Sequence, residues 1–342
     1  MHRADKAVLR LTVGLGLAVL IAYGLALTVP YVVLLMAVLV LCKPGPAIPL
    51  AKVAVTALLL AALLAAGVLM VPLLEHYALS GVMLTGAILY GLFFFGILTG
   101  HPLRKVLVVT FTLIPVAGVA EQAMVTLISL SMAVGITVGG LVSSVSHAFF
   151  PDDPDPETRA AKPPGVSRET AGWIAMRGTL VVLPVFVLAL TNPALYLPAI
   201  MNTVTLGQQA CTTDTRSAGR ELVGSTLMGA ALAVIVWFGL SLWPSLWMLM
   251  LWIMAVALWT GVRLFALKST SFSPSFWSTS LTTMLILLGP AIEDSANGKG
   301  VLAVSAGRVG LYVGVALYAW ATVWLLERWR ASRTETLFFD RR

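Results

Sequence analysis

The chain has 342 residues, of which 59% are hydrophobic and only 11% are charged, and its formal net charge is +7. A soluble domain carries roughly 25% charged residues, so this composition excludes a soluble globular protein and indicates an integral membrane protein. The positive net charge does not indicate nucleic-acid binding, because in a membrane protein the position of the positive residues matters more than their sum.

Apolar runs of the length needed for transmembrane helices recur along the whole chain, whereas the alternating strands of a membrane barrel do not occur. The sequence therefore predicts an all-α polytopic membrane protein with about 12 transmembrane helices. The predicted segments are 10–28, 30–42, 52–74, 78–99, 105–120, 123–148, 177–191, 194–210, 220–242, 245–262, 274–292 and 300–326. The second and eighth are short and bounded by Pro and Gly, and they are predicted to be half-spans or tilted helices.

Residues 150–176 are rich in Pro and charge, and this composition predicts a cytoplasmic linker between two groups of six segments. The predicted organisation is thus a first six-helix repeat over 1–149, the linker, a second six-helix repeat over 177–328 and a cytoplasmic tail over 329–342.

Matching residues recur at a nearly constant spacing in the two groups and predict an internal duplication. The pairs that share this spacing are Arg10 and Arg177, Pro30 and Pro198, Lys52 and Arg220, and Cys42 and Cys211. G-x-x-x-G motifs that begin at Gly135 and Gly310 recur at a slightly larger spacing. An even number of spans in each copy makes the two repeats parallel, with a transport path expected at their interface.

The distribution of positive residues predicts the orientation. With the N-terminus inside, 20 of the 22 Lys and Arg residues fall in cytoplasmic segments, and Lys299 alone lies in an outer loop. This asymmetry predicts that both termini are cytoplasmic.

Arg308 lies about two turns inside the last predicted span. A charge at the centre of a membrane helix costs about 2.5–3.5 kcal/mol on insertion scales, so intramembrane arginines usually face the bundle interior or a wet cavity. The functional interpretation is an arginine that binds an anion or gates a path. The alternative is that Arg308 pairs with Glu293 or Asp294, or reaches the outer surface.

Five further residues are candidates for function. Lys52 and Arg220 each begin a long span and form a basic rim for an acidic substrate, with ordinary positive-inside anchoring as the alternative. Asp214 and Arg216 form a gate or a local ion pair in a solvated loop. Glu121 lies between two spans at the outer face and could carry protons at a pore mouth if it were buried, with an exposed loop glutamate as the alternative.

Motifs for soluble chemistry do not occur. There is no P-loop, no zinc-type spacing of His and Cys, and no Ser/His/Asp arrangement. The sequence therefore predicts a protein that is not an enzyme and that has no cofactor and no metal.

The segment AGRELVGSTLMGAALAV, which contains Arg220, resembles the R-x-x-G-T-x-x-G-A signature of the fusaric acid resistance (FUSC) family, with Ser225 and Thr226 near the usual Gly-Thr. GRVGLYVGVAL at 307–317 is similar to the later Arg-plus-Gly helix of that family. In the first half, KVAVTALLLAALLA from Lys52 keeps the shape but lacks the glycines. The chain resembles most the short bacterial members that consist only of membrane helices.

This resemblance implies an inner-membrane efflux component for small organic or aromatic acids, related to the aromatic acid exporters, with Lys52, Arg220 and Arg308 lining or flanking the path. It also implies a partnership with a periplasmic adaptor of the membrane-fusion type. We expect lipid and a small organic anion as partners and no nucleic acid, and the sequence leaves homo-oligomerisation open. Proton-coupled export is the leading hypothesis, and the alternatives are a passive organic-anion channel or a membrane scaffold that docks an adaptor.

Overall fold

The computed structural model describes residues 3–42, 49–99, 103–151, 167–211, 217–296 and 301–339. Within these ranges all regular elements are α-helices, which confirms the predicted all-α class. The helices are α1 (Arg3–Gly24), α2 (Pro30–Leu41), α3 (Leu50–Val68), α4 (Met70–His76), α5 (Ala78–Thr99), α6 (Leu103–Ala120), α7 (Gln122–Phe149), α8 (Arg168–Thr191), α9 (Pro193–Ala210), α10 (Ala218–Leu242), α11 (Leu246–Leu264), α12 (Pro274–Ala296) and α13 (Val301–Phe339).

In the part of the chain that the structure describes, nine helical stretches are long and apolar enough to cross a membrane. One of them, Val53–His76, combines α3 and α4, which meet at Leu69 within one apolar run. Two further apolar helical stretches, Pro30–Leu41 and Leu107–Ala120, are shorter. By length and composition, these helices confirm a multi-pass membrane protein.

Proline marks the start of the two predicted short segments. Pro30 is the first residue of α2 and Pro193 the first residue of α9, so Pro198, which the sequence pairs with Pro30, lies within α9. Proline is favoured at the first position because its missing N–H would have no partner inside the helix and its fixed φ suits the first turn. With 12 residues, α2 extends over only about 18 Å at ~1.5 Å per residue, which is less than the hydrocarbon thickness of a bilayer.

Two long helices end with an alanine in the left-handed region. Ala26 follows α1 with φ 48°, and Ala266 follows α11 with φ 57°. After each alanine, a backbone N–H returns to a carbonyl of the last helical turn: Leu27 donates to Ala22 at 3.0 Å, and Leu267 donates to Val262 at 3.0 Å. Glycine is the residue that usually takes this capping conformation, because it has no Cβ to clash.

The short helix α2 and the long helix α12 form the centre of the bundle. In α12, 83% of the residues in the most apolar stretch are buried, whereas the share is at most 56% in the other spanning helices of the described residues. The residues of α2 from Tyr31 to Val38 are all buried. α2 packs against α1, α7 and α12, and α12 packs also against α9, α10, α11 and α13. The outer helices expose large apolar side chains, as expected for lipid contact.

The two G-x-x-x-G motifs differ in their surroundings. A Cβ added at Gly135 would lie 2.8 Å from Met36 Cβ, and one added at Gly139 would lie 3.0 Å from the Cα of Ala37, so this motif lets α7 approach α2 closely. A Cβ added at Gly310 or Gly314 of α13 would meet no described atom within 4 Å. The first motif packs two helices closely, as G-x-x-x-G motifs in membrane helices commonly do, while the second faces open space in the described structure.

Two helices extend beyond the predicted boundaries of their segments. α8 begins at Arg168, well before the predicted start at residue 177, because Ser167 caps it by accepting a hydrogen bond from Thr170 N at 3.2 Å. At the other end of the second half, α13 continues through the predicted tail to Phe339. The remainder of the predicted linker, residues 152–166, lies outside the described residues.

Candidate functional site: a buried polar seam with an ion pair at each end

Arg308 forms an ion pair with the end of α12. Its Nη1 lies 2.7 Å from Oδ2 of Asp294, and both side chains are largely buried. This is one of the alternatives that the sequence left open. The predicted span ends at residue 292, but α12 continues to Ala296, so Asp294 lies in its last turn and faces α13.

Tyrosines and a second carboxylate surround this pair. Tyr23 of α1 and Tyr31 of α2 are close enough to Glu293, the residue before Asp294, for its charge to act on their hydroxyl groups. Tyr31 packs directly against Gly289 of α12, where a Cβ would collide with the tyrosine ring. Tyr312 of α13 is buried and lies near Tyr31 and Arg308. Residues from both halves of the sequence therefore meet here, and we call the group Tyr23, Tyr31, Glu293, Asp294, Arg308 and Tyr312 the Arg308 cluster.

A second ion pair lies near the opposite end of the apolar part of α13, Ser305–Arg330. Nη1 of Arg177 on α8 is 3.1 Å from Oε1 of Glu327, which also accepts a hydrogen bond from Nε1 of Trp173 at 3.0 Å. Nη2 of Arg177 donates to the carbonyl of Ala210, the last residue of α9. Arg308 and Glu327 are separated by about 28 Å along α13 at ~1.5 Å per residue, which is close to the hydrocarbon thickness of a bilayer.

Arg10 of α1 makes a similar contact in the first half. It is buried, and its Nη1 donates to Nε2 of His147 on α7 at 2.7 Å. Nδ1 of His147 must carry the ring proton, since it lies 2.7 Å from the Ser143 carbonyl, which can only accept. A cavity of about 20 Å³ lies beside these three side chains and the end of α2, and this volume is enough for one water molecule.

Between the two ion pairs, α9, α10 and α12 bury a group of polar side chains that we call the polar seam. Its members that bond between helices are Asn202 and Gln209 on α9, Glu221 and Ser225 on α10, and Thr283 on α12. Ser225 Oγ donates to Gln209 Oε1 at 3.2 Å, and Gln209 Nε2 donates to the Glu221 carbonyl at 3.2 Å. Thr283 Oγ1 donates to Asn202 Oδ1 at 3.0 Å. The corresponding short helix of the first half, α2, has only apolar residues apart from the hydroxyl of Tyr31.

The Glu221 carboxylate lies at one end of the polar seam, next to the beginning of α12. It is 3% exposed and accepts hydrogen bonds from the backbone N of Ser273, at 3.0 Å, and from the Ser273 hydroxyl. Ser273 precedes Pro274, the first residue of α12, so Glu221 fixes the start of the central helix against α10. The burial of Glu221 is not visible in the sequence, because its partner Ser273 is distant in the chain.

The structure does not bring the predicted basic residues together. Arg220 is exposed, donates to the Ser271 carbonyl at 2.9 Å and lies over the Phe272 ring, so it contacts the beginning of α12. Arg308 contacts the end of the same helix, about 30 Å away at ~1.5 Å per residue. Lys52 belongs to the first turn of α3, and its side chain is not among the described ones.

The three predicted gating residues do not form a described group. Glu121 is exposed at the corner between α6 and α7, where it precedes the first residue of α7 without bonding to it through its side chain. Asp214 and Arg216 lie outside the described residues. Four buried ionic groups that the sequence analysis did not single out for function are instead Arg10, Arg177, Glu221 and Asp294.

No family model, curated protein or solved structure matches the chain. The class that the fold defines is a multi-pass, all-helical membrane protein with a group of polar side chains buried in an apolar interior. The resemblance to the FUSC family stays an expectation that derives from the sequence motifs alone.

Proposed function

We propose that the protein is a transporter that exports small organic or aromatic carboxylic acids across the bacterial inner membrane. The observation that supports this proposal is the polar seam, which lies in the interior of an otherwise apolar bundle and has an ion pair beyond each end. Polar and ionisable groups inside a membrane are costly, and they commonly mark the path of a substrate or ion.

Two parallel repeats of six membrane segments, with both termini cytoplasmic, are part of this proposal. The contacts between helices support it, because a contact between two helices recurs between their counterparts in the other half. α1 packs on α11, and the counterpart of α1, α8, packs on α5. In the same way, α2 packs on α12 and α9 packs on α6. The buried arginines follow the same rule, since Arg10 reaches His147 on the last helix of the first half and Arg177 reaches Glu327 on α13. A substrate path at the interface of such repeats would pass α2, α6, α9 and α12.

In the proposed mechanism Arg308 exchanges one carboxylate partner for another. A guanidinium can bind a carboxylate through two parallel hydrogen bonds, so a substrate acid competes directly with Asp294 for Arg308. Arg220 and Lys52 serve the opposite, basic end of the path by attracting anions from the cytoplasm.

Flux of aromatic carboxylates into proteoliposomes under an imposed pH gradient tests the proposal. We expect the wild-type protein to accumulate benzoate or a related acid against its gradient and Arg308→Ala to lose this accumulation. Arg328→Ala is the matched control, because Arg328 lies on the same helix but is exposed.

The outcomes separate the proposal from its alternatives. Saturable flux that never runs uphill would indicate a passive channel. Absence of flux from folded wild-type protein across a panel of acids would refute the transporter and favour a scaffold that docks an adaptor. Equal uphill flux in wild type and Arg308→Ala would reduce Arg308 to a structural ion pair with Asp294.

A further inference from the structure

Asn202 is completely buried and uses only part of its side-chain amide. Its Oδ1 accepts the hydrogen bond from Thr283 Oγ1 at 3.0 Å. Its Nδ2 is buried and has no hydrogen-bond partner among the described residues. Flipping the amide would place Nδ2 against Thr283 and leave Oδ1 in the position without a partner. In either orientation one end of a buried amide makes no hydrogen bond.

This arrangement is unusual enough to require a physical reason. Most buried polar groups in proteins have a partner, and one without a partner calls for an explanation, of which a site for a ligand is one. Neighbouring buried hydroxyls follow the rule, since Thr203 bonds to the Ala199 carbonyl of its own helix and Thr226 to the Leu222 carbonyl. Leu34, which occupies the place of Asn202 in the first copy of the proposed repeat, is also buried, so the fold tolerates an apolar residue at the matching place.

The Asn202–Thr283 contact lies near the middle of the membrane-spanning bundle. The end of α9 is next to the beginnings of α10 and α12, because Gln209 bonds to Glu221 and Glu221 bonds to Ser273. α9 and α12 therefore run in opposite directions. Asn202 and Thr283 each lie about 13 Å from the first residue of their helix at ~1.5 Å per residue, so they meet at mid-depth.

We infer that Asn202 and Thr283 form the carboxylate-binding contact of the transport path at mid-depth, an inference that rests on the proposed function. The amide NH₂ offers two donors and the threonine hydroxyl a third, which suits the two oxygens of a carboxylate. These donors are neutral, so they bind an anion less tightly than an arginine would. A site in the middle of a path needs this property, because the substrate must leave as well as arrive.

In the described structure this contact is closed by α10. A Cβ on Gly229 would lie 2.7 Å from both the Ser280 carbonyl oxygen and Thr283 Cβ, so the two helices touch at this level. A carboxylate reaches Asn202 only when α10 and α12 separate. Small residues at the crossing, among them Gly229 and Ala230, allow the helices to close without an interlocking side chain.

The test compares Asn202→Leu and Thr283→Val with Thr203→Val in proteoliposomes that take up radiolabelled benzoate. Thr203 is the control because it is adjacent, equally buried and bonded within its own helix. Loss of a hydrogen bond to a charged ligand corresponds to about a tenfold or greater change in affinity. We expect the benzoate KM to rise about tenfold in Asn202→Leu, to rise in Thr283→Val, and to stay within about twofold of wild type in Thr203→Val. Benzamide, which lacks the negative charge, should compete poorly with benzoate for the wild-type protein.

Thermal unfolding in detergent separates binding from a structural role. We expect Asn202→Leu to lose little stability, because it removes a buried amide that has an unsatisfied end and the Thr283 hydroxyl can turn to a carbonyl of its own helix. A less stable Asn202→Leu with an unchanged benzoate KM would show that the Asn202–Thr283 bond only holds α9 to α12, and it would overturn the inference while leaving the proposed function intact. If the wild-type protein transports no acid, the proposed function fails and the inference fails with it.

Discussion

Arg10 and Arg177 are buried guanidinium groups that hold the last helix of each half of the chain. Arg10 bonds to a neutral imidazole, His147, whereas Arg177 pairs with a carboxylate, Glu327. The two contacts therefore differ in charge although their positions correspond. A buried arginine with a carboxylate partner is stabilised by that partner, because little water is present in the interior to solvate the guanidinium.

Neutralising Glu327 should destabilise the protein strongly. Glu327→Gln leaves Arg177 buried without its counter-charge, and breaking a buried pair in this way costs about 3–5 kcal/mol, toward the lower end here because Glu327 is 20% exposed. Thermal unfolding in detergent should show a clear drop in Tm. Glu75→Gln, at an exposed glutamate, should leave Tm unchanged.

The double variant Arg177→Leu/Glu327→Leu removes both charges and should recover most of the loss, since apolar residues can replace a buried pair. A double variant as unstable as Glu327→Gln would show that the other bonds of these residues, to Trp173 and Ala210, hold the helices together instead.

The buried carboxylates could not be predicted from local patterns. Glu221 follows Arg220 in the first turn of α10, and Asp294 belongs to an acidic pair near the predicted end of a span, so both look solvated in the sequence. Their burial results from partners that are distant in the chain or on another helix: Ser273 for Glu221 and α13 for Asp294. Arg308 was recognisable because a lone charge within an apolar run is visible without knowledge of its partner.

At the scale of single helices, the left-handed alanines offer a simple gain in stability. An L-residue in this conformation costs roughly 1–2 kcal/mol, and glycine avoids that cost. Ala266→Gly, at the end of α11, should therefore raise Tm by an amount that corresponds to about 1 kcal/mol of unfolding free energy. Ala255→Gly, at an exposed position within the same helix, should lower stability by about 1 kcal/mol. A destabilising Ala266→Gly would contradict the described helix end.

The two glycine motifs predict opposite effects for the same substitution. Gly139→Ala places a methyl group 3.0 Å from the Cα of Ala37, and we expect a loss of about 1–3 kcal/mol in unfolding free energy as α2 is displaced. Gly314→Ala meets no described atom and should gain up to about 1 kcal/mol through helix propensity. Equal losses at both positions, measured by thermal unfolding, would show that α13 packs on something through Gly314.

Sequence periodicity predicted the helices well and their packing poorly. Each of the twelve predicted apolar segments overlaps a helix of the described residues, and nine helical stretches there are long and apolar enough to cross a membrane. An apolar run in a bilayer forms a helix because its backbone polar groups must bond within the segment. The same G-x-x-x-G pattern, by contrast, packs tightly in α7 and faces open space in α13. Whether a small residue contacts a neighbour depends on how its helix is rotated in the bundle, and one sequence does not contain that information directly.

For the whole molecule, the orientation can be tested with single cysteines in a variant in which Cys42 and Cys211 are replaced by serine. Five helices, α7 to α11, separate Glu121 from Lys268, so the proposed topology places these exposed residues on opposite sides. A membrane-impermeant maleimide should label Glu121→Cys in spheroplasts and should label Lys268→Cys only after permeabilisation. Labelling of both sites from outside would mean that one of these five helices, of which α9 is the shortest, does not cross. Labelling of Lys268→Cys alone in spheroplasts would show that the orientation is the reverse of the proposed one.

The burial of α2 has a consequence for how the protein is made. A helix of 12 residues is too short to be held in the bilayer as an ordinary span, and its main packing surface is α7, which emerges from the ribosome much later. With a separation of about 100 residues and synthesis at ~5–20 residues per second, this delay lasts about 5–20 s. During that interval α2 can pack only against α1, so the hairpin of α1 and α2 stays at the membrane without its main packing partner. Biogenesis of the first half is therefore complete only when α7 arrives, and chain termination before α7 should leave a fragment that the cell's quality control removes.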